Sequence, residues 1–233
     1  PTTKATLQAM DITEMTEIQA KTWRAILNGR DIVGRSETGS GKTISFLLPS
    51  IERILRSSPP STGDSIQMLV IAPTRELANQ IDASAKMLTS SQPILCQAFH
   101  GGYPKARDLQ QLRDGVPTIL TTTPGRLFDH LQSESTVARL LQGVQILVLD
   151  EMDRLLDMGF RNLVRSILSY LPPRQTLLFS ATVPPSVKGM IEFCVQDHVF
   201  VDCVEDGAPQ TVDTVQQSHI VVQPEKLVAG VVR

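Results

Sequence analysis

A glycine-rich segment that ends in a lysine and a threonine carries the clearest chemical signal in the chain. It consists of Ser36, Glu37, Thr38, Gly39, Ser40, Gly41, Lys42 and Thr43. Gly39 and Gly41 let consecutive backbone amides turn toward one anion, and a helix starting here adds its positive end. Lys42 can then contact the outer phosphates of a nucleotide, while the Thr43 hydroxyl can bind the Mg²⁺ that bridges them. The segment follows the Walker A pattern, with Ser36 in place of the first glycine, and it predicts a nucleotide-phosphate site.

Two adjacent acids follow an apolar run at residues 146–149 and form a second chemical signal. They are Asp150 and Glu151. An aspartate at the tip of a strand can hold Mg²⁺ through water, and Glu151 can orient and deprotonate an attacking water. An acidic helix cap is the simpler alternative. Together with Lys42, however, the pair predicts a site that hydrolyses a nucleoside triphosphate, with Lys42, Asp150 and Glu151 as its catalytic residues.

Three further loops follow strand-like runs and carry residues that suit a nucleic-acid backbone. They are Pro73, Thr74 and Arg75; Gly101 and Gly102; and Thr123, Pro124, Gly125 and Arg126. Thr74, Arg75 and nearby amides can hold a phosphate without reading base sequence. Glycine permits close backbone approach, and Arg126 can pair with phosphate. A solvated helix start is the alternative for Arg75. Three such loops on one edge predict a track for a single strand, RNA or DNA.

The elements that must position these residues alternate along the chain. Continuous apolar runs, typical of strands covered on both faces, occur at 31–33, 68–72, 94–99, 118–121, 146–149, 176–179 and 199–201. Helical spacing occurs at 16–27, 42–55, 75–88, 125–131, 160–171 and 183–195. This alternation predicts an α/β fold, a doubly wound and mostly parallel sheet with helices on both faces. In such a sheet ligands bind where the strands end, and the motifs all fall there.

The order and spacing of the motifs resemble those of the DEAD-box RNA helicases. The resemblance runs from about residue 13 to residue 182 and includes the segments 16–19, 73–78, 101–102, 123–127, 150–153 and 180–182. It implies the ATP-binding, RecA-like P-loop NTPase lobe of a helicase, with ATP and Mg²⁺ as cofactors. It also implies that the bound strand is RNA, held through its backbone and 2′-hydroxyls.

The resemblance assigns roles to four further residues. Gln19 corresponds to the glutamine that recognises the adenine edge, through one donor and one acceptor. Ser180 and Thr182 correspond to residues whose hydroxyls hydrogen-bond Asp153 and couple the nucleotide state to RNA unwinding. The alternative for Thr182 is a helix cap.

The chain departs from the family pattern near the base and in the acidic motif. Met15 stands where proline is usual, and the upstream aromatic that stacks on the base is missing, so Ile12 or Met10 could form an apolar wall instead. Met152 replaces an alanine and adds volume next to Asp153. We therefore expect binding to survive and coupling efficiency to be the property in doubt.

The composition of the residues after Asp202 and the resemblance together predict the domain organisation. Residues 1–203 are predicted to form the ATP-binding domain, and 204–233 a linker and the truncated start of a second, carboxyl-terminal lobe. That lobe would bring arginines to the γ-phosphate, so the chain alone should bind nucleotide and RNA weakly and hydrolyse slowly. Protein activators are possible further partners. The rival interpretations are a catalytically weak, nucleotide-gated RNA clamp or scaffold, and another P-loop enzyme such as a small-molecule kinase or a DNA translocase.

Composition restricts the remaining possibilities. The 233 residues carry a net charge of -2, so any contact with nucleic acid must be local. Three cysteines without CxxC spacing indicate core thiols in a reducing, intracellular compartment. No apolar run is long enough to cross a membrane. We expect Trp23 to pack in the core, His100 to be structural or solvated with no catalytic role, and residues 57–65 to form a mobile loop.

Overall fold

The computed structural model describes residue 7, residues 12–57 and residues 65–204. The larger of the chain's two compact units is Pro1–Cys203, and of the smaller unit only Val204 is described. The strands are β1 (Ile32–Arg35), β2 (Met68–Ile71), β3 (Cys96–Phe99), β4 (Ile119–Thr122), β5 (Ile146–Leu149), β6 (Gln175–Ser180) and β7 (Val199–Asp202). The helices are α1 (Glu17–Leu27), α2 (Lys42–Ser57), α3 (Arg75–Leu88), α4 (Lys105–Asp114), α5 (Pro124–Ser133), α6 (Ser135–Leu140), α7 (Met152–Asp157), α8 (Arg161–Leu168) and α9 (Pro185–Cys194), with a 3₁₀ turn at Leu141–Gly143.

All seven strands form one parallel sheet in the order β3-β4-β2-β5-β6-β1-β7. Parallel strands present their carboxyl ends at one edge. The order places the loops after β1, β5 and β6 side by side, and the loops after β2, β4 and β3 beside them. The two groups meet where Ile71 pairs with Leu149, so the phosphate loop and the three predicted strand-binding loops share one edge of the sheet.

Successive residues of the strands pack into two separate cores. Met68 and Val70 belong to the core beneath α1, α2 and α3, whereas Leu69 and Ile71 belong to the core beneath α4 to α9. Because strand residues are buried on both faces of the sheet, most of them are apolar, which explains the continuous apolar runs in the sequence. The predicted fold class is therefore confirmed.

Three helices were missed by the sequence analysis. In α4 only two residues, Asp108 and Leu112, are buried, so its sequence lacks an apolar stripe. Helices α6 and α7 contain six residues each, too few to establish a helical period. The predicted helix at 160–171 is shorter, Arg161–Leu168. Of the predicted loop at 57–65, Ser57 ends α2, and residues 58–64 lie outside the described residues, as do Met10 and residues 205–233 of the predicted linker.

Candidate nucleotide and RNA sites

The phosphate loop curls around its own lysine. Lys42 Nζ donates hydrogen bonds to the carbonyl oxygens of Ser36 (2.7 Å) and Glu37 (3.0 Å), and the residue is only 8% exposed. Gly39 and Gly41 have φ angles of 80° and 90°, a conformation that favours glycine. The loop thus has the turn that the sequence predicted, directly before the first residue of α2.

Gln19 connects α1 to this loop. Its Oε1 accepts from the Thr16 amide at 3.0 Å, and its Nε2 donates to the Gly41 carbonyl at 3.2 Å. A side-chain carbon on Gly41 would lie 2.6 Å from Gln19 Nε2, so the contact also requires glycine there. Recognition of adenine by Gln19 stays a prediction. The side chain contacts the phosphate loop directly, at the Gly41 carbonyl.

A pocket of about 160 Å³ lies beside Gln19. Its lining includes Ile12, the residue expected to form an apolar wall, together with Met15 and Trp23. Trp23 also packs against the core of α1 to α3, as predicted. The pocket is mostly apolar and adjoins α2, so a flat base could lie there.

Asp150 and Lys42 are oppositely charged groups in a buried site. Asp150 is 2% exposed, and its Oδ1 accepts from the Glu151 amide at 2.9 Å. Burial raises the pKa of Asp150 to about 6, while the positive charge of Lys42 opposes that rise. Burial likewise lowers the pKa of Lys42, and the charge of Asp150 opposes it. Each group therefore helps to keep the other ionised.

Glu151 has an uncommon backbone conformation. Its φ of 47° and ψ of 55° lie in the left-handed region, which a non-glycine residue adopts at a cost. Arg154 Nη1 donates to its Oε2 at 3.3 Å. The conformation marks the turn from β5 into α7 and directs the chain immediately after Asp150.

The donor atoms at this site fit Mg²⁺. No group of three or more His, Cys, Asp or Glu in the described ranges could hold a metal alone. Mg²⁺ is usually held by one or two protein oxygens together with the phosphates of its nucleotide. The Asp150 carboxylate and the Thr43 hydroxyl are of that kind.

The predicted contact between the acidic motif and β6 is present. Thr182 donates to Asp153 Oδ2 from both its hydroxyl and its amide, each at 2.9 Å, and the Asp153 amide donates to Ser180 Oγ at 3.1 Å. Met152 is fully buried in the core, and these bonds form in its presence. The extra volume of Met152 therefore does not separate Asp153 from Ser180. Their coupling role stays a prediction.

The three predicted strand-binding loops line one open groove of about 540 Å³. From the predicted set it contains Pro73, Thr74, Arg75, Gly101, Thr123, Gly125 and Arg126. Gly102 leaves room for the Arg75 side chain, because a side-chain carbon at position 102 would lie 2.5 Å from Arg75 Nη1. Pro124 is buried as the first residue of α5. Their binding to RNA stays a prediction, but the loops converge as one surface.

Other groove residues were missed by the sequence analysis. Glu76, Asp129, Met158 and Phe160 also line it. The only signal for Met158 and Phe160 was their position after the acidic motif, since nothing in their spacing indicated a surface role. Met158 is 47% exposed and contributes to the apolar part of the groove surface.

His100 is structural, as expected. Its Nδ1 lies 2.8 Å from the Gly101 carbonyl oxygen, and its Nε2 lies 2.9 Å from Asn79 Oδ1 on α3. The ring thus holds the glycine loop against α3.

Comparison with known proteins points to one family. A profile of the DEAD/DEAH box helicase family matches residues 16–190. DEAD-box ATP-dependent RNA helicase 26 of Arabidopsis thaliana is 41% identical over 219 residues, covering 91% of this chain and 26% of the relative. DEAD-box ATP-dependent RNA helicase 31 of Oryza sativa subsp. japonica is 41% identical over 233 residues, covering 97% and 42%.

A solved structure gives the same indication. The crystal structure of a hypothetical ATP-dependent RNA helicase from Sulfolobus tokodaii has a TM-score of 0.76 and 28% identity, covering 87% of this chain and 56% of that chain. The chain thus spans about a quarter to two fifths of the length of the two plant relatives.

Proposed function

The chain belongs to the DEAD/DEAH box helicase family, and on this premise we propose that it is the ATP-binding lobe of an ATP-dependent RNA helicase. It binds Mg·ATP at the phosphate loop, holds single-stranded RNA in the groove and acts with a second lobe to separate short duplexes. One observation carries the proposal: the phosphate loop, the acidic motif and the groove lie on one edge of one sheet. The names of the relatives support ATP and RNA as the ligands.

In this proposal the nucleotide site works by positioning and charge. The loop amides and Lys42 bind the phosphates, and Thr43 and Asp150 would hold Mg²⁺, Asp150 through water. Mg²⁺ held there would neutralise charge that develops on the phosphates. Glu151 orients the attacking water and accepts its proton. A small-molecule kinase would need no groove of this kind, and the four catalytic and metal-binding side chains disfavour a catalytically weak clamp.

Nucleotide and RNA would be coupled through the acidic motif. Asp153 is hydrogen-bonded to Ser180 and Thr182 at the end of β6. The Asp150 amide N–H donates a hydrogen bond of 3.0 Å to the carbonyl oxygen of Ile71, the last residue of β2 before the Pro73 loop. A movement of the acidic motif on hydrolysis would thus reach both strands that flank β5, β2 on one side and β6 on the other. Arginines from the second lobe would complete the charge around the γ-phosphate.

We also propose a reducing compartment as the site of action. All three cysteines are free thiols. Cys96 is buried, whereas Cys194 and Cys203 are only partly buried, which corrects the expectation of three core thiols. Burial raises the pKa of Cys96 to about 11 and that of Cys194 to about 12, so both stay protonated. No helix in the described part of the chain is long and apolar enough to cross a membrane.

Arg75 provides the test of the RNA groove. It is exposed and has no ion-pair partner among the described residues, so its charge is available to a phosphate. We expect Arg75→Ala to weaken binding of single-stranded RNA about tenfold. The logarithm of the association constant decreases with the logarithm of the salt concentration, and the steepness of this dependence should be reduced by about 0.7, the value for one lost phosphate contact. Fluorescence anisotropy with a labelled oligouridine measures both.

The matched control is Arg139→Ala on α6, since Arg139 is exposed and lies away from the groove. It should bind RNA like the unchanged chain, and neither variant should lose affinity for Mg·ATP. Equal RNA affinity of the Arg75→Ala and Arg139→Ala variants would contradict the assignment of the groove to RNA.

A further inference from the structure

A buried carboxylate lies behind the groove. Asp108, in the first turn of α4, is only 4% exposed. Its Oδ2 accepts hydrogen bonds from Arg126 Nε at 2.6 Å and His130 Nε2 at 2.8 Å. Arg126 also donates through Nη2 to the Tyr103 carbonyl at 2.9 Å. Neither Asp108 nor Tyr103 lines the groove, so the guanidinium is held from behind.

His130 orients the carboxylate through a second hydrogen bond. The imidazole is completely buried, and its Nδ1 has no hydrogen-bond partner among the described residues. Because Nε2 lies beside the Asp108 carboxylate, Nε2 is the ring nitrogen that donates to Asp108. Burial alone would raise the pKa of Asp108, but hydrogen bonds from His130 and Arg126 hold that pKa below its ordinary value. Arg126 and Asp108 therefore form a buried ion pair.

The pair leaves Arg126 able to bind a second anion. A guanidinium has five N–H donors, of which Asp108 and the Tyr103 carbonyl accept two. Arg126 lines the groove with Thr123 and Gly125. A side chain already fixed in place loses less conformational freedom on binding than a mobile one. Three donors thus remain on a fixed side chain at the groove wall.

We infer that Asp108 is a positioning residue for RNA binding, which holds Arg126 so that its remaining N–H groups meet a backbone phosphate. The inference rests on the proposed function, because it requires RNA in the groove. It separates the two groove arginines by role. Arg126 is a fixed donor that depends on Asp108, whereas Arg75 is an exposed cation that does not.

A double-mutant cycle on the whole chain tests this dependence, using a fluorescein-labelled ten-nucleotide oligouridine as the probe. Asp108→Asn removes the charge that holds Arg126, and we expect it to weaken RNA binding about tenfold, as Arg126→Ala should. The double variant should bind no more weakly than the weaker single variant, because both changes remove the same contact. Combined with Arg75→Ala, the loss should instead add. Affinity for Mg·ATP should stay unchanged.

Asp108→Glu keeps the charge and provides a second variant if the Asn variant does not fold. Its longer side chain displaces the guanidinium, so the Asp108→Glu variant should bind RNA about threefold more weakly than the unchanged chain. Combined with Arg126→Ala, it should bind no more weakly than Arg126→Ala alone. A folded Asp108 variant with unchanged RNA affinity would overturn the inference, and so would additive losses with Arg126→Ala, which indicate a purely structural role. RNA binding that is lost with Arg75→Ala but not with Asp108 variants overturns the inference alone. Failure of the unchanged chain to bind the probe overturns the proposed function with it.

Discussion

Replacing Lys42 with alanine should lower RNA-stimulated ATP turnover by at least about 100-fold, the usual loss when one preorganised donor to a transition-state charge is removed. The variant removes the only side-chain charge of the phosphate loop that is positive. It also removes the ammonium group around which the loop folds, together with its hydrogen bonds to the Ser36 and Glu37 carbonyls. Turnover measured with saturating RNA and a second helicase lobe, together with Mg·ATP affinity, gives the result.

The same change should alter Asp150. Lys42 holds down a pKa that burial has raised to about 6, so without Lys42 that pKa rises further toward neutrality. A smaller fraction of the carboxylate is then ionised at pH 7. We expect the metal requirement of the variant to increase as the pH falls and to ease as it rises.

Lys188→Ala is the control, because Lys188 is exposed on α9 and has no ion-pair partner in the described ranges. It should leave turnover unchanged. Turnover within a few-fold of normal in the Lys42→Ala variant would contradict the assignment of the phosphate site.

Glu151→Gln should lower turnover roughly 10²- to 10⁴-fold, the contribution of a general base, while Mg·ATP still binds. Glutamine has the shape of glutamate and can still accept from Arg154, so the local contact at 3.3 Å survives. It cannot accept the proton of the attacking water. Single-turnover hydrolysis and nucleotide affinity, measured on the same sample, separate the chemical step from binding.

Glu192→Gln on α9 is the matched control, since Glu192 is exposed and distant in sequence from the acidic motif. Loss of Mg·ATP affinity in the Glu151 variant, equal to its loss of turnover, would assign Glu151 to binding and reject it as the base.

Most of the sheet was predictable because each strand is buried on two faces. Where short apolar runs alternate with helical segments, a run such as Ile146–Leu149 is predicted to be a buried strand. The acids that follow it are then predicted to lie at the edge of the sheet. The motif spacing also predicted the contact of Thr182 with Asp153. Long-range order was harder. That β5 also pairs with β2 depends on how helices cover the sheet, which local sequence does not determine.

The parts that could not be predicted are single side chains whose role depends on distant partners. Asp108 is an ordinary acid of a polar helix until α5 brings Arg126 and His130 against it. Nothing local predicts the left-handed backbone of Glu151, because glutamate rarely adopts it. Arg126 and Arg75 look equivalent in sequence, yet one is paired and the other exposed.

We propose that one edge of this sheet joins an ATP site to an RNA groove, in a lobe that needs a second lobe for turnover. The most direct test measures ATP hydrolysis by the chain with and without single-stranded RNA, before and after a second helicase lobe is added as a separate chain, with Lys42→Ala as the blank. We expect turnover near the blank for the chain alone and RNA-stimulated turnover when the second lobe is present. RNA-stimulated turnover by the chain alone, or no turnover in any mixture, would rule this proposal out.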